Sequence, residues 1–150
     1  MKGGMRVRRA FLLLAFALAL WSAVLAHEAL PASAPSAAPQ KKWILIELDL
    51  KRLTLYQGTT VLKRYPIASG AWSTPSPIGV FTVIGRFKTE MSGFGTRFLR
   101  LNVPWGVYGI HGTNRPDSIG ANASHGCIRL RVADAEALYA MVPNGTRVYL

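Results

Sequence analysis

The segment HGTNRPDSIGANASHGCIRL, His111 to Leu130, holds the chain's single cysteine, two of its three histidines and three glycines. Glycine lets a backbone turn tightly or approach a ligand closely. β-forming runs bound the segment, Val107 to Ile110 before it and Ile128-Arg129-Leu130 at its end. It therefore reads as a loop hung between strands, with His111 where a strand ends and a rigid sheet can aim a side chain. A thiol within a few residues of an imidazole is the raw material of a thiolate nucleophile.

Working outward, the strands multiply. Trp43 to Asp49, WILIELD, and Leu53 to Gln57, LTLYQ, read as a hairpin turning at Asp49-Leu50-Lys51-Arg52. Val61 to Ala68 makes a third antiparallel strand, and Pro66 argues for a sheet edge or a strand end. Ser69 to Gly79, SGAWSTPSPIG, is too rich in breakers for helix or strand. Val80 to Arg86 is another strand, with Gly85 as a bulge. Phe87 to Thr96, containing Gly93 and Gly95, reads as a flexible connection overhanging the site. Phe98 to Val103 and Val107 to Ile110 are short strands parted by Pro104-Trp105-Gly106.

Beyond the cysteine, Val132, Ala135, Leu138, Tyr139 and Val142 repeat at helical spacing, with Asp134 and Glu136 near the positive end of the dipole. Arg131 stands where a capping Ser, Thr, Asp or Asn is expected. Pro143-Asn144-Gly145 stops the helix, and Thr146 to Leu150 returns as a strand. The expected fold is mostly β, a curved sheet or β-sandwich of short strands with one helix in the C-terminal region.

The chain divides by composition. Met1 to Ala26 reads as a signal peptide: Lys2, Arg6, Arg8 and Arg9 precede an apolar run, Ala10 to Ala26, interrupted only by Ser22. Val24-Leu25-Ala26 suits cleavage, with Ala32-Ser33-Ala34 as a later site; the alternative is a retained anchor, for which the run is short. His27 to Lys42 is a Pro- and Ala-rich linker in which His27 is expected to be solvated. Residues 43–150 form one domain. These features predict an exported protein of the periplasm or cell envelope, meeting a membrane only through its signal or anchor, and a monomer.

Charge narrows the partners. Losing Met1 to Ala26 removes four of 18 basic residues and no acid, so the net charge falls from +11 to +7. The basic residues are scattered, without an aromatic platform, which argues against nucleic acid. An anionic envelope attracts such a surface without specificity. An internal disulfide needs two cysteines, so Cys127 is left to catalysis, metal binding, an intermolecular bridge or inert burial.

A free thiol is mostly protonated at neutral pH and needs a base or positive potential to ionise. His111 and His125 are both available. In an extended segment His125 and Cys127 point the same way, whereas His111 approaches from another strand; residue spacing does not choose between them. The N–H groups of Gly126 and Cys127 are candidate oxyanion donors, and Arg129 either binds a carboxylate or pairs with an acid. His111, His125 and Cys127 also suit a zinc-dependent hydrolase as three ligands with an open position, although Asp117 is the only acid in the loop.

Taken together, Ile110-His-Gly-Thr-Asn114, Ser118-Ile-Gly120 and Ser124-His-Gly-Cys-Ile-Arg-Leu130 resemble the signature of the L,D-transpeptidase catalytic domain, the YkuD-type family. The likeness extends to Trp43–Tyr56, to Thr74-Pro75-Ser76-Pro77-Ile78-Gly79-Val80-Phe81 and to Gly145-Thr146-Arg147-Val148. It implies a mostly β cysteine acyl transferase acting on peptidoglycan stems without metal or organic cofactor. Cys127 would attack the diaminopimelate carbonyl of a tetrapeptide stem, expel the terminal D-alanine, and pass the acyl group to an amine. His111 would be the base, with His125, Gly126 and Ser124 supporting it and Arg129, Gly112 and Thr113 meeting substrate. An L,D-carboxypeptidase would use the same residues with water as acceptor. Two departures stand out: Arg131 replaces a small polar residue before the helix, and no carbohydrate-binding module accompanies the domain.

Overall fold

The computed structural model describes residues 40–150; the signal and most of the linker expected above lie outside them. Eight strands form one sheet: β1 (Lys42–Glu47), β2 (Arg52–Gln57), β3 (Thr60–Pro66), β5 (Val80–Ser92), β6 (Gly95–Leu101), β7 (Tyr108–Gly112), β9 (Ile128–Leu130) and β10 (Arg147–Tyr149). Their order is β3-β2-β1-β10-β5-β6-β7-β9. A two-stranded parallel sheet joins β4 (Ser69–Gly70) to β8 (Asn122–Ser124), and the one α-helix among the described residues, α1 (Val132–Met141), packs on β6 and β7.

Register explains the core. Ile44 pairs with Leu55 on one side and Val148 on the other, Val148 with Phe81, and Leu99 with Ile110, which pairs with Ile128. All are buried, so alternation places one continuous apolar face inward, where Ala135 and Leu138 of α1 join it. Eight strands sharing one core must curl. Ala68, two residues past the edge strand β3, exchanges hydrogen bonds of 2.9 Å in both directions with Arg129 of β9, the opposite edge. That contact draws the two edges together and pins Arg129 in place. Pro66 ends β3 at the edge, where its missing N–H costs no ladder bond.

Two sequence expectations need correction. Ser69–Gly79 is not wholly loop: Ser69 and Gly70 pair with β8, because Lys51 Nζ, Ser69 Oγ and Asn122 Oδ1 gather within 2.6 to 3.0 Å and hold the segments side by side. Phe87–Thr96 is not a flexible connection either. β5 runs on to Ser92, turns at Gly93-Phe94 and returns as β6, with Phe87 opposite Phe98 and Lys88 opposite Arg97. Cross-strand aromatic pairing outweighs the local glycine signal. The bulge expected at Gly85 is present as a register shift between Val83 and Gly85.

Candidate active site

β7 and β9 run parallel with His111 opposite Arg129, and β6 places Phe98 opposite His111. Since Ile110, Ile128 and Leu130 face the core, alternation turns His111, Arg129, Phe98 and, just ahead of β9, Cys127 to the other face. His111 is nonetheless buried, because the β5–β6 hairpin brings two rings to it. Phe98 stacks at 5.8 Å and 17°, and Phe94 meets it edge-on at 5.0 Å. The hairpin tip sits this close because Gly95 has no side chain: a Cβ there would stand 2.8 Å from the Gly112 backbone.

Burial in this aromatic cage pushes the His111 pKa down to about 4; the hydrogen bond to Gly112 opposes the shift, and the nearby Arg129 cation adds to it. His111 Nδ1 lies against the Gly112 carbonyl. A carbonyl only accepts, so Nδ1 carries the proton and Nε2 is left with its lone pair. The Cys127 thiol is half-buried, and burial raises its pKa; a backbone hydrogen bond from Gly109 and the charge of Arg129 oppose this. At neutral pH both groups therefore rest uncharged, as thiol and imidazole.

The turn carrying the thiol is held by Ser124. Its buried hydroxyl donates to the Cys127 carbonyl at 2.5 Å and accepts the Gly126 N–H at 3.0 Å. Gly126 has φ +110°, and a Cβ on it would fall 2.6 Å from the Tyr108 ring, so only glycine fits in both conformation and space. The residues from His125 to Cys127 thus bend, and the premise that His125 and Cys127 share a face fails. His125 is exposed. The three side chains of the zinc reading do not converge: among the described residues no group of three His, Cys, Asp or Glu could hold an ion. Of the two oxyanion donors expected from the sequence, the Gly126 N–H is already given to Ser124.

Arg129 has a buried Nε without a hydrogen-bond partner, and its charge reaches both His111 and Cys127. Gly112 and Thr113 are buried: Gly112 packs against α1 with its carbonyl on His111, and Thr113 Oγ1 accepts the Arg115 N–H at 3.1 Å. Sequence reasoning missed Phe94, Phe98 and Tyr108. Phe98 carried a signal in its place on a strand adjoining the one that ends at His111, but its partner depended on strand order.

Residues 41–150 match the family model of the L,D-transpeptidase catalytic domain, YkuD. The YkuD protein of Bacillus subtilis (strain 168) is 45% identical over 105 residues, which are 70% of this chain and 63% of that protein. An L,D-transpeptidase structure from Mycobacterium smegmatis superposes with a TM-score of 0.62 at 25% identity, covering 73% of this chain and 58% of its own. One from Xylanimonas cellulosilytica DSM 15894 gives 0.62 at 27%, covering 76% and 62%. The chain spans less than two thirds of the length of each of these proteins. With the family model covering the whole described sheet and its Ser124–Leu130 motif, the chain belongs to the L,D-transpeptidase catalytic-domain family of the YkuD type.

Proposed function

We propose that this protein is a cysteine acyl transferase of the cell envelope that acts on peptidoglycan tetrapeptide stems. The observation that carries the reading is the His111 tautomer: with Nδ1–H held by the Gly112 carbonyl, Nε2 is a free acceptor on the sheet face that also bears Cys127. The thiol proton passes to Nε2 as sulfur attacks the diaminopimelate carbonyl. The C–N bond to the terminal D-alanine then breaks, the imidazolium returns its proton to the leaving amine, and a thioester remains. An amine from a second stem or a protein lysine attacks the thioester, giving its proton to His111, and the thiol is regenerated.

In this scheme the Cys127 N–H faces the developing oxyanion, and Arg129 binds a stem carboxylate through its unpartnered Nε. Ser124 and Gly126 shape the nucleophile turn. Gly112 and Thr113, buried next to His111, bring the start of the following loop to the substrate, and the exposed His125 has a supporting role. No metal or organic cofactor takes part. The protein acts as an exported monomer, and mature material recovered from the envelope begins at His27 or shortly after. Intact Met1 in envelope material would refute that cleavage.

The test is intact-protein mass spectrometry after mixing with a disaccharide-tetrapeptide. The expected adduct equals the stem minus D-alanine and is absent in Cys127→Ser. A cross-linked stem dimer identifies transpeptidation, and a tripeptide alone identifies L,D-carboxypeptidase action. Neither adduct nor product would refute the proposal for that donor.

A further inference from the structure

The two loops beside the nucleophile hold tryptophans out in water. Trp72 is 91% exposed and Trp105 64%, with Ile78 at 77% and Val107 at 67% on the same loops. Tryptophan is enriched at interfaces, where its ring offers a large apolar face beside a polar N–H.

Both loops are tied to the residues around Cys127. Trp72 sits inside the turn Ala71–Thr74, closed by a Thr74 N–H bond to the Ala71 carbonyl at 3.0 Å. Each end of that turn bonds the carbonyl of Ser124, from the Ala71 N–H at 2.9 Å and from Thr74 Oγ1 at 3.0 Å. Trp105 packs edge-on against buried Phe81 at 6.3 Å. Its neighbour Gly106 lies against one edge of the Tyr108 ring, and the other edge of that ring lies against Gly126. Contact thus runs from each tryptophan-bearing loop to the residues flanking Cys127.

The chemistry of the rim is selective. Residues 71–80 and 103–109 contain no charged side chain, in a chain of 18 basic residues. A phosphate or an anionic membrane would be met by cations; an uncharged rim of indole rings with the exposed Ser73 hydroxyl suits a neutral ligand with apolar faces and many hydroxyls. A sugar ring has that character, its C–H faces stacking on indole. We propose that Trp72 and Trp105 form a saccharide subsite that grips the glycan from which the peptide stem hangs. This rests on the function proposed above.

The test compares donors. With the disaccharide-tetrapeptide, Trp72→Ala and Trp105→Ala should each raise KM about fivefold with kcat unchanged, the effect of losing one aromatic contact. With the free tetrapeptide, both variants should match the parent. Equal losses on both donors, or none on either, would overturn the subsite. Should the parent turn over neither donor, the proposed function fails, and calorimetric titration with stem-free glycan chains decides the rim separately. Saturable binding lost in the double variant supports it, and absence of binding refutes it. Sedimentation with anionic vesicles that the tryptophan variants abolish, without any glycan effect, would assign the rim to lipid and overturn the proposal.

Discussion

The Ser124 hydroxyl donates to the Cys127 carbonyl at 2.5 Å and receives the Gly126 N–H at 3.0 Å, so one buried oxygen ties together both sides of the turn that presents the thiol. Ser124→Ala leaves a buried donor and acceptor unpaired, which costs about 1–3 kcal/mol. The melting temperature should fall by several degrees, and acylation should slow more than that loss explains. Ser124→Thr, which keeps the hydroxyl, should recover part of both. Unchanged melting and acylation in the alanine variant would show that the turn holds itself.

Gly126→Ala meets two obstacles, φ +110° and the Tyr108 ring 2.6 Å from the new Cβ. The expected loss is about 2 kcal/mol or more, read by denaturant unfolding. Tyr108→Ala in the same chain should relieve only the contact and leave the backbone strain. Full recovery in the double variant would mean that the conformation itself costs nothing.

His111 is held neutral down to about 4 against an ordinary 6.5, chiefly by burial. A depressed pKa means that the unfolded chain takes up the proton first as pH falls. Stability from this residue is therefore complete above about 6.5 and drains away as pH drops toward 4, by about 3 kcal/mol at most. His111→Gln should flatten that part of the stability profile. The acid limb of kcat/KM should likewise lie near 4, and a limb at 6.5 would place the working base in a more solvated position.

The raised Cys127 pKa predicts slow alkylation at neutral pH that accelerates well into the alkaline range. His111→Ala should slow the neutral-pH reaction more than His125→Ala, because His125 is exposed beyond the bend at Gly126. The reverse ranking would transfer the base role to His125.

Arg131 occupies the N-cap of α1 with cap-like dihedrals but no side-chain bond to the helix. Arg131→Ser should supply one and raise stability by about 0.5–1 kcal/mol, with activity unaltered. No gain in a melting curve would mean that water already serves those N–H groups equally well.

Local sequence determined the pieces. Alternation in Trp43–Asp49, Leu53–Gln57 and Val80–Arg86 marks strands because the side-chain period is an intrinsic property of extended backbone. Helical spacing from Val132 and the stop at Pro143 bound α1 for the same kind of reason. Cys127 with its flanking serine, histidine and glycine was legible as a motif, since those residue types in four consecutive positions have few other uses together. Which pieces meet depends on the folded chain as a whole. No local signal inserts β10 between β1 and β5, or bridges Ala68 to Arg129 across the curled sheet, because such pairings are chosen by burial of the whole apolar face. The surroundings of His111 and His125 are of this kind. One positive φ at Gly126 leaves His125 in solvent, while strand order sets His111 beside Phe98 and Arg129, where desolvation and a single carbonyl determine its proton.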